Sequence, residues 1–132
     1  MYLLSGKNIT CGYSSVDILS NCTIGVKRGQ IASIVGPNGA GKSTAMKAIF
    51  GLLDIRKGQI FLDGEDITSL HPQDRVLKGM GFVPQTNNIF PSLSVQENLE
   101  MGAFIQDKDC QDMLNYIYEL FPILKDKRYQ QA

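Results

Sequence analysis

An α/β fold is predicted by three observations in this chain of 132 residues. A short apolar run, Ile31-Ala32-Ser33-Ile34-Val35, leads straight into Gly36-Pro-Asn-Gly-Ala-Gly41-Lys42-Ser43, and a helix-forming stretch follows at once. Glycines punctuate the first two-thirds of the chain closely, whereas the last third is nearly free of them. That shift predicts turn-connected strands first and helices afterwards.

Each element follows from local patterning. Leu3 to Tyr13 reads as a strand, ended by Gly12 and the turn-forming Ser14-Ser15. Cys22, Ile24 and Val26 alternate with polar or small residues, the pattern of a half-buried strand. Lys27-Arg28-Gly29 is a turn. Gln30 to Val35 reads as a strand buried on both faces, because it is continuously apolar rather than alternating. A helix is expected from Lys42 to about Phe50, with Gly51 as its stop. Gln59 to Leu62 is a strand and Asp63-Gly64 a tight turn. Pro72 to Lys78 is a short helix that His71 introduces, and Gly81-Phe82-Val83 is a short strand ended by Pro84. Gln85 to Ser92 is loop. Val95 to Phe104 and Cys110 to Phe121 are both helical. Cys110, Leu114, Ile117, Phe121 and Leu124 fall near helical spacing and are expected to face a core.

Composition sets bounds on function. Apolar residues make up 43% and charged residues 20%, ordinary values for a globular chain. Thirteen basic residues balance thirteen acidic ones, so no overall field draws the chain to nucleic acid or to an anionic membrane. Anion binding must then come from local geometry. Cys11, Cys22 and Cys110 are odd in number and lack metal-ligand spacing, which predicts reduced thiols. No apolar stretch approaches the roughly 20 residues that span a bilayer, and the first residues lack a signal-peptide layout.

Residues 36–43 fit the pattern G-x-x-x-x-G-K-[ST] in full. Glycines let such a backbone turn tightly, so that successive N–H groups converge on phosphate oxygens. The helix that starts near Lys42 aims the positive end of its dipole at the same place. Lys42 supplies a point charge for the β- and γ-phosphates, the Ser43 hydroxyl a ligand for Mg²⁺, and Thr44 a bond to the α-phosphate. The motif implies a nucleotide without specifying the reaction.

The run Gly-Pro-Asn-Gly-Ala-Gly-Lys-Ser-Thr at 36–44 resembles the Walker A sequence of ABC-transporter ATPases. The resemblance implies a P-loop NTPase core, truncated, with an N-terminal antiparallel β-subdomain and the start of a helical subdomain. It implies ATP and Mg²⁺ as ligands, with Asn38, Gly39, Ala40, Gly41, Lys42, Ser43 and Thr44 forming the cradle. Tyr13 stands where that family places an aromatic residue that stacks on adenine, and Ile18 where an apolar residue packs nearby. Ile60 to Ile67 looks like the family's strand-and-turn element. Gln85, in Val83-Pro84-Gln85, matches the Q-loop glutamine, a contact for Mg²⁺ and the attacking water. Lys42 and Gln85 are therefore the expected catalytic residues, with Ser43 and Gln85 on the metal. Taken singly, Tyr13 also reads as a rim aromatic, Ile18 as core and Gln85 as a solvated loop residue.

The stretch Asn88 to Leu99, followed by Met101-Gly102-Ala103, is similar to the ATP-binding subunit of branched-chain amino-acid transporters. Ile117 to Pro122 and Lys127-Arg128 also resemble it. The ATPase of lipopolysaccharide export shares Ile89-Phe90 and Leu93-Ser94-Val95 and stands as the alternative. The family's Leu-Ser-Gly-Gly-Gln signature and its Walker B strand do not occur in these residues. His71, the only histidine, precedes the Q-loop and cannot be the family's switch histidine. The chain is thus expected to be about the N-terminal half of an ATPase domain, with residues 1–91 as β-subdomain and P-loop core and 92–132 as the start of the helical subdomain. A further alternative is a nucleotide-binding module without turnover. The implied partners are transmembrane permease subunits and a second ATPase subunit, with Phe90, Pro91 and Leu93 as candidate permease contacts. The implied location is cytoplasmic, peripheral on the inner face of the membrane through the permease. A GTPase is disfavoured because no Asn-Lys-x-Asp guanine reader is present. A small-molecule kinase is disfavoured because the region after Gln85 is aromatic and apolar rather than arginine-rich.

Overall fold

Alternation in the first 26 residues gives two strands, β1 (Leu4–Cys11) and β2 (Leu19–Val26), joined by the loop 12–18. They pair antiparallel, with Leu4 opposite Val26 and Cys11 opposite Leu19. On the other side of β1 lies β3 (Ile55–Leu62), also antiparallel, with Leu4 opposite Leu62 and Cys11 opposite Ile55. Asp63 and Gly64 both have positive φ, 49° and 85°, the geometry of a tight hairpin turn. That turn leads into the two-residue β4 (Glu65–Asp66), and the sheet order is β2-β1-β3-β4. These elements belong to a computed structural model that describes residues 1–105 and 109–132.

The described residues fall into two compact units, Met1–Met80 and Gly81–Ala132. In the first, α1 (Lys42–Phe50) lays Ala45, Ala48 and Ile49 on the sheet. That i, i+3, i+4 set is one face of a helix. It meets Ile9, Cys11, Leu19, Ile60 and Ile67 in a single apolar cluster. Burial pushes the Cys11 thiol above its ordinary value, so it stays protonated and packs as a small apolar group. All three cysteines are free. Helix α1 stops at Gly51, as the sequence predicts, with Gly51 in a left-handed conformation.

Arg75, on α2 (Pro72–Leu77), closes the bottom of this unit. It is only 2% exposed. Its guanidinium donates to the carbonyls of Leu70 and Thr68, at 3.0 Å each, and to those of Ala48 and Ile49. Two of those acceptors lie in the last turn of α1, where the dipole favours a cation, and the Ala48 carbonyl also accepts from Gly51 N–H. Burial lowers the pKa of Arg75. His71 sits at the N-cap position of α2, the helix-entry role expected of it.

The second unit contains α3 (Val95–Met101), α4 (Gln111–Leu120) and α5 (Pro122–Asp126). Ser94 and Glu97 form a capping box at the start of α3. The end of the chain returns to this point: Val95 N–H donates to the Gln130 carbonyl, and Ala132 N–H to that of Leu93.

Four expectations are corrected. Gln30 to Val35 is not a strand, and Ile31 and Val35 are 98% and 87% exposed. A strand buried on both faces needs a hydrogen-bonded neighbour, and none of the described strands pairs with this run. Gly81-Phe82-Val83 likewise does not form one of the described strands. The helix expected to reach Phe104 ends at Met101, followed by Gly102 and turn residues. On α4 the buried residues are Leu114 and Tyr118, while Phe121 is exposed. Phe121 falls at the α4–α5 junction with an extended φ of −131°, which takes it off the helical stripe.

Candidate functional site

Glycine placement shapes the loop from Gly36 to Ser43. Gly39 and Gly41 have φ of 82° and 92°, values that side chains rarely tolerate. At Gly41 the constraint is also spatial: a Cβ there would lie 2.7 Å from Leu19 Cδ2 and 3.3 Å from Ile18 Cγ2. Gly41 is the N-cap of α1 and has no side chain to satisfy the first-turn N–H groups, and no acidic residue stands in that turn. The positive end of the helix is therefore open to an external anion. The Lys42 ammonium donates to the carbonyls of Gly36 and Pro37, both at 2.7 Å, so it spans the loop from the side. Ser43 is exposed, while Thr44 is buried against the core. An open helix terminus, a lysine beside it and a free hydroxyl fit a phosphate chain with its divalent cation.

The loop 12–18 lies next to this cradle. Its compactness shows at Gly12, where a Cβ would fall 1.9 Å from the Val16 carbonyl oxygen. Val16 N–H donates to the Tyr13 carbonyl, and Ile18 N–H to that of Cys11. Ile18, 42% exposed, reaches Gly41 as described. Tyr13 is 47% exposed, and the Lys47 ammonium of α1 stands 5.8 Å from its ring centroid, within cation–π range. Of the expected site residues, Tyr13, Ile18 and residues 38–44 thus belong to one unit and cluster about the start of α1. Gln85 lies in the other unit, exposed at a bend.

Three further residues were not singled out from sequence. Arg56, near the start of β3, donates to the Asp17 carboxylate and to the Ser14 carbonyl, both in the loop 12–18. Lys47 meets Tyr13, and Arg75 holds the end of α1. Their partners lie far away in sequence, so no local pattern marks them.

In the second unit Asn98 straps the segment before α3. Its amide donates to the Phe90 carbonyl at 3.0 Å and the Ser94 carbonyl at 2.9 Å, and its side-chain oxygen accepts from Phe90 N–H at 2.7 Å. Phe90 and Pro91 are exposed and Leu93 is half-buried. No described helix is long and apolar enough to cross a membrane.

Comparison with known proteins agrees with this geometry. The family model described as ABC transporter matches residues 19–131. The probable branched-chain amino acid transport ATP-binding protein LivF of Archaeoglobus fulgidus is 40% identical over 93% of this chain and 52% of its own length. The high-affinity branched-chain amino acid transport ATP-binding protein BraG of Pseudomonas aeruginosa is 35% identical over 98% of this chain and 56% of its own. The lipopolysaccharide export system ATP-binding protein LptB of Haemophilus influenzae is 38% identical over 75% of this chain and 41% of its own. Among solved structures, a nucleotide-free ATP-binding cassette from an ABC transporter superposes with a TM-score of 0.78 at 26% identity, covering all of this chain and 58% of that one. The chain spans about half the length of the curated relatives it matches. A family model matching most of the chain and a cassette fold matching all of it lead to one conclusion: the chain belongs to the ABC transporter family and has the fold of its ATP-binding cassette, in part.

Proposed function

We propose that this chain holds ATP and Mg²⁺ as part of the energy-coupling subunit of an ABC importer for branched-chain amino acids, and that the whole protein hydrolyses ATP to drive uptake. The open start of α1, with Lys42 beside it, carries the reading. The backbone of Asn38, Gly39, Ala40 and Gly41 offers N–H groups to the phosphates, Lys42 neutralises the β- and γ-oxygens, and Thr44 supports the α-phosphate. Ser43 would hold the cation, which would neutralise phosphate charge, and the Q-loop resemblance assigns Gln85 to the metal and the attacking water. Tyr13 stacks on adenine, with Ile18 packing beside it. Residues 1–91 supply the β-subdomain and P-loop core, and 92–132 begin the helical subdomain.

The names of LivF and BraG support the amino-acid substrate. LptB supports a second reading, energising lipopolysaccharide export. In either, the partners are transmembrane permease subunits and a second ATPase subunit, on the cytoplasmic face of the membrane. Fluorescent ATP titrated into the chain tests the core of the proposal. Lys42→Ala is expected to weaken binding by tenfold or more, roughly the 1.4 kcal/mol or more that a charge-assisted phosphate contact provides. Equal binding by the variant overturns the assignment. Restoration by the full-length protein of branched-chain amino-acid uptake, rather than of lipopolysaccharide export, in cells lacking the corresponding ATPase decides between the two readings.

A further inference from the structure

Loop 12–18 leaves the end of β1 and returns at the start of β2, and it is exposed along most of its length. Few apolar contacts are available to fix such a segment, so its side chains need another anchor. The register supplies one. Cys11, the last residue of β1, stands opposite Ile55, the first of β3, so β3 begins at the loop's end of the sheet and the Arg56 side chain reaches back to the loop. One arm of the Arg56 guanidinium donates to the Asp17 carboxylate and the other to the Ser14 carbonyl. These two acceptors flank the segment between Tyr13 and Ile18. From the other side, Lys47 of α1 approaches the Tyr13 ring, and Ile18 and Leu19 abut Gly41.

We infer that Arg56 is a positioning residue for the nucleobase: by clamping Asp17 and Ser14 it fixes the loop that presents Tyr13 beside the phosphate cradle. The inference rests on the ATP-binding reading above and adds a residue to it. Two contacts from one planar fork restrain the loop in orientation as well as in distance, which a single ammonium does not do. With Lys47 against the Tyr13 ring, the clamp holds Tyr13 over α1, ready to stack a base. No described hydrogen bond joins Arg56, Asp17 or Ser14 to residues 36–44.

That separation gives the test. Binding of ATP and of inorganic tripolyphosphate, each with Mg²⁺, is measured by calorimetry for the unaltered chain and for Arg56→Ala, Asp17→Asn and the double variant. Arg56→Ala is expected to weaken ATP binding roughly tenfold, the scale of a lost base–aromatic stack, and to leave tripolyphosphate binding unchanged. Asp17→Asn should act in the same direction, and the double variant should be no weaker than Arg56→Ala. Arg56→Lys should recover only part of the loss. Retained tripolyphosphate binding also shows that the variants are folded. Equal weakening of both ligands, or no change in either, overturns the positioning role while the ATP reading stands. An unaltered chain that binds neither ligand overturns both.

Discussion

Arg75 shows how much one side chain can carry here. It is charged, nearly inaccessible, and bonded to four main-chain carbonyls rather than to a carboxylate. Replacing it with Met keeps much of the volume and leaves buried acceptors without donors, each costing about 1–3 kcal/mol. Arg75→Met is therefore expected to destabilise the first unit by about 3 kcal/mol or more, read as a lower urea midpoint with an unchanged slope. The residue-scale legibility of the site was uneven for the same reason that Arg75 was missed. Residues 36–44 are contiguous, so spacing alone displays them. Arg56, Lys47 and, through its two acceptors in α1, Arg75 act on partners 26 or more residues away, and nothing adjacent to them in sequence announces it. Tyr13 and Ile18 were found only through family resemblance.

At the scale of elements, α3 offers the clearest test. Ser94 accepts from Glu97 N–H at 3.2 Å, and the Glu97 carboxylate accepts from both the Ser94 N–H and hydroxyl. Those bonds lower the Glu97 pKa below the ordinary glutamate range. A carboxylate with a depressed folded pKa stabilises fully above its unfolded pKa, and that contribution fades as pH falls through the folded value. Helix α3 should therefore hold through neutral and mildly acidic pH and loosen in acid, with Glu97→Gln flattening the dependence measured by amide exchange. Ser94→Ala is expected to cost about 1 kcal/mol. The helices were readable because caps, prolines and glycines are local signals. The end of α3 was misplaced because the turn at Gly102 interrupts a pattern that the apolar residues continue, and Phe121 leaves the buried stripe at the α4–α5 junction. Residues 30–35 failed as a strand for a different reason: a strand is a relation between segments, and the described residues supply no second segment to pair with it.

At the scale of the whole molecule, this unpaired run has a measurable outcome. Ile31 and Val35 expose apolar side chains beside unpaired main-chain groups, a template for association with another chain. The isolated chain is expected to associate more as its concentration rises, and Ile31→Lys is expected to shift it toward monomer in sedimentation velocity runs. A sharp melting transition unmoved by concentration would contradict this.

The two carbonyl contacts of Lys42 have one more consequence. The ammonium occupies its own loop as a latch, bonded to neutral acceptors that phosphate oxygens outbid because they carry charge. On the ATP-binding proposal, ligand binding is then an exchange of partners around a fixed cation. Lys42→Met would leave the loop slack as well as less attractive to an anion. Amide exchange at residues 38–41 should quicken in that variant before any nucleotide is added.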